Sequence, residues 1–152
     1  MPPRRYLTFK SYQVLFHDEF EGYEEAMRFL TEHSKSNPRD GVAYNNRGQA
    51  YSEIGQGEEA LLDFERAIEL SPRDPTPYMN RGDLYSRHKP VAKFAEAIDD
   101  FTKAILINPN DASFHRCKAY ACLKVGQLQE AIDSFTSNSP GARFQADLHR
   151  PG

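Results

Sequence analysis

The sequence is poor in cysteine and lacks tryptophan. Its 152 residues include 2 cysteines, Cys117 and Cys122, which stand five positions apart. On one helix their side chains would project about 140° apart, so they cannot form a disulfide with each other. No further cysteine or histidine pair stands at zinc-ligand spacing. We therefore expect free thiols, no structural metal and a reducing, cytoplasmic location.

Long apolar runs are missing too. No stretch of about 18 apolar residues exists, so the sequence predicts no transmembrane helix and no membrane partner. Residues 1–5 are basic, but no apolar stretch of the export-signal type follows them. The 19 Lys+Arg against 22 Asp+Glu give a formal net charge of −3. A mildly acidic chain argues against nucleic-acid binding.

Two short motifs recur along the chain. The segment 44–52, YNNRGQAYS, returns at 78–86 as YMNRGDLYS, with six of nine positions identical at an offset of 34 residues. The second motif is EALLDF at 59–64, which returns as EAIDDF at 96–101 and as EAIDSF at 130–135. The last two copies of the second motif are again 34 residues apart, and a recurring period of this length is the signature of a repeat architecture.

Each repeat predicts two helices separated by a turn. Between 41 and 54, and again between 58 and 71, apolar and small residues recur at helical spacing. Gly55-Gln56-Gly57 separates the two as a turn. A weaker copy of the second motif, EAMRFL at 25–30, precedes the others, and three of the four copies are followed, 12 residues after their alanine, by a helix-ending proline: Pro38, Pro72 and Pro109. Asp74-Pro75 offers a cap and a first-turn proline for the next helix. The sequence predicts an all-α fold.

Small and large residues recur at fixed positions within the repeats. Gly48 and Gly82 occupy one phase of the first helix, where the absence of a side chain lets the paired helix approach closely. Glycine inside a helix costs roughly 0.5–1 kcal/mol relative to alanine, so its recurrence indicates packing that offsets the cost. Phe64 and Phe101 are expected to fill the volume beside these glycines.

These residues make the chain similar to the tetratricopeptide-repeat (TPR) family, whose 34-residue pattern combines aromatic, Gly, Tyr, Ala, Phe and Pro positions. The first full repeat matches at Tyr44, Gly48, Tyr51, Ala60, Phe64, Ala67 and Pro72, with Arg47 where leucine is usual. The second matches at Tyr78, Gly82, Tyr85, Ala97, Phe101, Ala104 and Pro109; the third keeps Gly126, Ala131 and Phe135. The resemblance implies a right-handed α-solenoid of antiparallel helix pairs.

The resemblance also implies one TPR domain over 1–152. Its parts are a degenerate TPR-like helix pair at 6–38, TPR 1 at 41–72, TPR 2 at 75–109, TPR 3 at 112–138 and a C-terminal tail at 139–152. TPR 2 is three residues longer than TPR 1, through an insertion near 87–94 that is either merely tolerated or part of a binding face. The tail either folds back with Phe144 and Leu148 as anchors, or leaves the last repeat exposed for self-association or a partner.

No catalytic constellation stands out. The GxGxxA match at 55–60 lacks the preceding strand that a dinucleotide site needs. The paired acids Glu58-Glu59 and Asp99-Asp100 are interpreted as solvated charges on helix faces. We therefore expect a protein without enzymatic activity and without a cofactor.

In the TPR family the first helices of the repeats line a concave groove that holds an extended peptide or a partner helix. Projecting that groove onto this sequence predicts nine lining residues: Asn45, Asn46, Gln49, Met79, Asn80, Asp83, Arg87, Arg116 and Tyr120. Asparagine amides suit a peptide backbone because they both donate and accept hydrogen bonds. The alternative for Asn46 and Asn80 is that they cap or bridge adjacent repeats.

One TPR subclass holds the C-terminal carboxylate of heat-shock chaperones in a clamp of Lys, Asn and Arg. Asn80 fits its middle position, but Asn45 and Gln49 replace its first Lys and Asn, and Ser113 and Cys117 replace its last Lys and Arg. We therefore expect no binding of chaperone tails.

The leading hypothesis is a non-catalytic adaptor or scaffold that binds a peptide or protein segment in the groove. The alternatives are a dedicated chaperone or neutralising, immunity-type partner of one effector protein, and an enzyme with an unrecognised site. A homodimer through the N-terminal helices or the poorly capped last repeat is a further hypothesis.

Overall fold

A computed structural model describes residues 19–87 and 93–137, with side chains described from residue 25 onward. These residues form seven helices and no strand: α1 (Glu19–Ser36), α2 (Gly41–Glu53), α3 (Gly57–Leu70), α4 (Pro75–Arg87), α5 (Phe94–Ile107), α6 (Ala112–Lys124) and α7 (Leu128–Thr136). The all-α prediction is confirmed. None of these helices is both long and apolar enough to span a bilayer.

The chain divides into two compact units, Met1–Pro77 (unit 1) and Tyr78–Gly152 (unit 2). Three sequence predictions fall outside the described residues: the first part of the N-terminal helix pair, most of the basic turn near 87–94, and the tail with Phe144 and Leu148.

The helices begin and end close to where the sequence predicts. The helices predicted at 41–54 and 58–71 are α2 and α3, with each end within one residue of its prediction. Helices α1, α3 and α5 each end two residues before a proline of the repeat pattern. A proline disfavours helical geometry in the residue before it, so the recurring proline fixes the end of each second helix.

Aspartates cap the first helix of each repeat. Asp40 accepts hydrogen bonds from the backbone N–H groups of Val42 and Ala43, at 3.0 and 3.2 Å. Asp74 accepts one from Thr76 at 2.9 Å, directly before the first-turn proline, as the sequence predicts. Asp111 accepts from both the backbone N–H and the hydroxyl of Ser113. Each cap satisfies an N–H group that would otherwise lack a partner in the first turn.

Replacing Asp111 with alanine is expected to lower the free energy of unfolding by about 1 kcal/mol, because the cap of α6 is lost. The Ser113 hydroxyl and then its backbone N–H hold the pKa of the Asp111 carboxyl below its usual range. A depressed pKa in the folded state means that this contribution is present at neutral pH and is lost as the pH falls through the folded-state pKa. Denaturant unfolding at pH 7 and at pH 3 measures both effects, with Asp111→Asn as the control that keeps a cap but does not titrate. An equal loss in both variants at pH 7 would contradict the capping role.

The turn between paired helices closes in the same way in all three repeats. Gly55 and Gly126 adopt positive φ angles of 79° and 80°, which glycine adopts without strain. The residue after each glycine then donates its backbone N–H to the first helix, Gln56 to Tyr51 at 2.8 Å and Gln127 to Cys122 at 2.9 Å. In the longer second repeat, Lys93 donates to Tyr85 at 3.0 Å.

In unit 1, close packing and an ion pair hold α2 against α3. A Cβ atom added to Gly48 would lie 2.8 Å from the ring of Phe64, so only glycine fits there. Next to it, Arg47 donates two hydrogen bonds to the carboxylate of Asp63, both at 2.7 Å. A third, to the Ser34 hydroxyl at 2.7 Å, joins α1 to the pair. The hydrogen bonds to the Asp63 carboxylate raise the pKa of Arg47 against the opposing effect of burial, so Arg47 remains charged at every physiological pH.

Unit 2 repeats this arrangement between α4 and α5. A Cβ atom on Gly82 would lie 2.7 Å from the ring of Phe101. Arg81 donates two hydrogen bonds to Asp100, both at 2.8 Å. The prediction that Asp100 is a solvated charge is therefore wrong: its side chain is 4% exposed and paired with Arg81. Asp99, by contrast, is exposed.

The third repeat lacks the arginine–aspartate pair. Lys118 and Ser134 stand at the equivalent positions, and Lys118 pairs instead with Glu130, at 2.9 Å. Apolar side chains on α7 remain partly exposed at helical spacing: Leu128, Ile132 and Phe135. Of the phenylalanines that end the second motif, Phe64 and Phe101 are 1% exposed and Phe135 is 51% exposed.

Candidate functional site

Three helices of unit 2 enclose a pocket of about 400 Å³. Helix α4 contributes three lining residues, α6 contributes three, and α5 contributes the floor: Asp83, Ser86, Arg87, Arg116, Cys117, Tyr120 and Phe101. A cavity of this size lies in the range of binding pockets that hold a side chain or a small ligand.

Helical spacing brings the lining residues together. Asp83 and Arg87 are four residues apart on α4, and Arg116 and Tyr120 are four apart on α6. Side chains with this spacing lie on one face of a helix. The two first helices of unit 2 thus present their polar faces to the same pocket, while Phe101 reaches it from the second helix.

The rim of the pocket is polar and carries two guanidinium groups. Arg87 pairs with Asp83, with 2.8 Å between Nη2 and Oδ2. The hydroxyl of Ser86 donates to the carbonyl oxygen of Asp83 at 2.8 Å. Arg116 is exposed and forms no ion pair within the part of the chain that the structure describes. The single carboxylate of the pocket, that of Asp83, is therefore neutralised by its ion pair with Arg87, whereas the charged group of Arg116 is exposed to solvent.

The interior of the pocket is apolar and aromatic. The ring of Phe101 is fully buried beneath it, whereas the ring of Tyr120 is half exposed at its side. The ammonium group of Lys124 lies 5.1 Å from the centre of the Tyr120 ring and adds a third positive charge near the rim. Burial, and after it the charge of Asp83, raises the pKa of the Cys117 thiol against the opposing effect of Arg116 and Arg87. Cys117 therefore presents a neutral sulfur to the pocket at neutral pH.

The raised pKa predicts slow alkylation of Cys117. Because less of the thiol is ionised than in a free cysteine at pH 8, iodoacetamide is expected to react more slowly with Cys117 than with glutathione. The rate should keep rising above pH 9, where a free thiol is already mostly ionised. Mass spectrometry of timed samples measures each cysteine separately, and the buried Cys122 serves as the internal control that should react more slowly still. Reaction of Cys117 at the rate of glutathione at pH 8 would contradict the assigned burial.

The nine predicted groove residues have different environments. The pocket brings four of them together: Asp83, Arg87, Arg116 and Tyr120. Met79 packs instead beside the core of Ala97, Phe101 and Ala121, and Asn80 is half-buried on the same helix. In unit 1, on α2, Gln49 is half-buried, but Asn45 and Asn46 are only 6% and 8% exposed. Their assignment to a groove stays a prediction.

Three pocket residues were not predicted from the sequence. The sequence predicts Phe101 as a core residue and Cys117 as a free thiol at a position where the chaperone-tail clamp has a cation, and it assigns no functional role to Ser86. The repeat spacing contained the signal, since Cys117 and Ser86 each neighbour a predicted groove residue in the sequence.

The positions of a chaperone-tail clamp carry no cation. Ser113 is half-buried and donates its hydroxyl to Asp111, and Cys117 presents its neutral thiol to the pocket. Within the described ranges, 25–87 and 93–137, no group of three or more His, Cys, Asp or Glu side chains could hold a metal ion.

Comparison with known families identifies two segments of the chain. Residues 41–74 and residues 101–133 each match a tetratricopeptide-repeat family model. The first segment spans α2 and α3, and the second includes the second half of α5, all of α6 and the first part of α7.

Among curated relatives, Hsp70-Hsp90 organizing protein 1 of Glycine max is 46% identical over 48 residues, which are 32% of this chain and 8% of that protein. Tetratricopeptide repeat protein 6 of Homo sapiens is 27% identical over 127 residues, which are 82% of this chain and 24% of that protein. The chain therefore spans less than a quarter of the length of the curated relatives it matches.

Two solved structures illustrate the fold. A crystal structure of MamA matches with a TM-score of 0.76 and 21% identity, covering 91% of this chain and 77% of that chain. The second TPR of Spaghetti (RPAP3), bound to the HSP90 peptide SRMEEVD, matches with a TM-score of 0.61 and 24% identity. That match covers 70% of this chain and 95% of the other. At these identities the likeness establishes the all-α solenoid fold.

Proposed function

Because this chain belongs to the tetratricopeptide-repeat family, we propose that it is a non-catalytic adaptor that binds a peptide or protein segment along the first helices of its repeats. The observation that carries this proposal is the pocket between α4, α5 and α6, which contains four of the residues that the resemblance to the TPR family predicts in the groove. Such a site functions by binding alone. It holds charged groups and aromatic rings in fixed positions that a segment of the partner protein contacts, and no chemical step is needed.

Two further observations support a binding role. The pocket combines an apolar interior with exposed arginine and tyrosine, the residue types that contribute most to protein interfaces. The curated relatives include proteins that are named for the organisation of Hsp70 and Hsp90, a task of protein association. We propose a protein or peptide as the partner, and the cytoplasm as the place where the two meet.

Affinity purification of the full chain from its own cells, followed by mass spectrometry, tests the proposal. The informative comparison uses two exposed aromatic residues of unit 2, Tyr120 in the pocket and Phe135 outside it, each 51% exposed. Tyr120→Ala is expected to lose the stoichiometric partner that the unaltered chain captures, and Phe135→Ala is expected to retain it. Circular dichroism of both variants checks that each remains folded.

The other outcomes distinguish the remaining hypotheses. Loss of the partner with Phe135→Ala alone would assign binding to the exposed apolar side chains of α7 and contradict a pocket-based adaptor. Self-association of the purified chain in light scattering would favour a homodimer. A chemical turnover detected in activity screens, abolished by a pocket variant, would favour an enzyme.

We retain the expectation that chaperone tails do not bind through the usual clamp. Ser113 and Cys117 cannot supply the two positive charges that hold a free C-terminal carboxylate. The peptide SRMEEVD is expected not to bind at micromolar concentration in calorimetry. Micromolar binding that disappears when the peptide is amidated would contradict this expectation.

A further inference from the structure

The charge around the pocket of unit 2 is one-sided. Two arginines line it and Lys124 lies beside its Tyr120, whereas Asp83 is the one carboxylate among its lining residues. Asp83 already accepts an ion pair from Arg87, so an incoming carboxylate would meet guanidinium groups rather than an uncompensated acid. This positive site belongs to a chain whose formal net charge is −3, so it does not reflect the average composition.

The lining of the pocket interior consists of groups that pack well against an aromatic ring. Its walls are the buried ring of Phe101, the half-exposed ring of Tyr120 and the neutral sulfur of Cys117. Aromatic rings pack favourably against other rings, against sulfur and under a guanidinium plane. A volume of about 400 Å³ accommodates one aromatic side chain and part of its backbone.

Resting on the proposed adaptor function, we propose that this pocket recognises an acidic peptide segment that carries an aromatic residue. The aromatic side chain enters between Phe101, Cys117 and Tyr120, and a neighbouring Asp or Glu carboxylate pairs with Arg116. Arg87, held by Asp83, lines the other side of the entrance. Recognition uses an internal side-chain carboxylate, so it does not depend on a free C-terminus.

Unlabelled, blocked peptides are the appropriate probes, since a fluorescein label is itself an aromatic anion. The first probe is acetyl-Gly-Ser-Glu-Phe-Glu-Ser-Gly-amide. Replacing both Glu by Gln removes the charge, and replacing Phe by Gly removes the ring. Titration of the isotope-labelled full chain, followed by chemical shifts of backbone amides, gives the dissociation constant and the location of each peptide in one experiment.

The first probe is expected to bind at α4 and α6, and loss of its carboxylates is expected to weaken binding about 10- to 100-fold, the usual effect of hydrogen bonds to charged groups. Loss of the ring is expected to weaken binding as well. Arg116→Ala should weaken binding of the acidic probe by a similar factor while leaving the Gln peptide unaffected. Arg73→Ala, which removes an exposed arginine of unit 1, is the matched control and should change neither.

Occupancy of the pocket has a second readout. The first probe, at saturating concentration, should slow the alkylation of Cys117 and leave that of Cys122 unchanged. Binding that affects neither the α4 and α6 amides nor Cys117 would place the peptide elsewhere and overturn the inference.

Other results overturn it without touching the adaptor proposal. Equal affinity for the Glu and Gln peptides, equal effects of Arg116→Ala and Arg73→Ala, or no binding of the acidic probe at millimolar concentration would each refute acidic–aromatic recognition. The adaptor proposal fails separately, when the partner captured from cells is retained by Tyr120→Ala. A partner lost with Tyr120→Ala but retained with Arg116→Ala would uphold the adaptor and refute the charge recognition.

Discussion

Replacing Phe101 with alanine is expected to lower the free energy of unfolding by about 3–5 kcal/mol, the largest effect of a single apolar substitution in unit 2. The Phe101 ring is 1% exposed and fills the space left by Gly82, where not even a methyl group would fit beside it. It also packs in the core with Ala97 and Ala121, so its removal leaves a cavity bounded by helix backbone that cannot collapse freely. Chemical denaturation followed by circular dichroism measures the loss.

The chain provides its own control for this prediction. Phe135 stands at the equivalent position of the third repeat but is 51% exposed. Phe135→Ala removes the same atoms and should cost about 1–2 kcal/mol, because less apolar surface returns to water. Similar losses for Phe101→Ala and Phe135→Ala would show that burial is not what distinguishes the two positions.

Replacing Asp100 with alanine is expected to cost about 3 kcal/mol or more, because it leaves the guanidinium of Arg81 mostly buried without its carboxylate. The side chains of Asp100 and Arg81 are 4% and 17% exposed, and both hydrogen bonds between them are lost in one step. Asp99→Ala is the matched control on the same helix: Asp99 is exposed, so its removal should change stability by at most about 0.5 kcal/mol.

A compensating substitution separates loss of the pair from loss of packing. Leucine is usual in the TPR family at the position of Arg81, and Arg81→Leu combined with Asp100→Ala removes both charges together. The double variant is expected to recover most of the stability lost by Asp100→Ala, since replacing a whole buried ion pair by apolar groups is often neutral. If the double variant were less stable than Asp100→Ala alone, the loss of stability in Asp100→Ala would not be caused by burial of the Arg81 charge without Asp100.

The fold was predictable because the residues that specify each helix pair all lie within one repeat. Glycine and phenylalanine recur at fixed positions, and a proline closes the second helix, so the helix bounds of α2 and α3 followed from local patterns. The four pocket residues on α4 and α6 were predicted by projecting the groove of the TPR family onto the sequence.

The ion pairs were not predicted, although the sequence contains their signal. Arg47 and Asp63 are 16 residues apart and Arg81 and Asp100 are 19 apart, on different helices, so helical periodicity does not relate them. Yet arginine precedes the glycine, and aspartate precedes the phenylalanine, in both of these repeats. Both change together in the third repeat, where Lys118 and Ser134 stand instead. When an arginine and an aspartate on different helices recur together in two repeats and are replaced together in the third, they are expected to be in contact. An interpretation that considers the charges of each helix separately does not detect this pairing.

The interior of the pocket was harder to predict for a physical reason. Phe101 belongs to the second helix, and whether a core ring also reaches a cavity depends on the distance between α4 and α6. That distance is set by packing among three helices rather than by the spacing within any one of them.

The backbone hydrogen bond from Lys93 to Tyr85 has a consequence for engineering this chain. It closes the second hairpin as Gln56 and Gln127 close the others, although three more residues intervene. The length of this loop therefore does not set the register of the two helices that it joins. Each doubling of the loop length raises the entropic free energy of closing the loop by only about 0.6 kcal/mol. An epitope or a short reporter peptide grafted between Arg87 and Lys93 would leave the pairing of α4 with α5 unchanged.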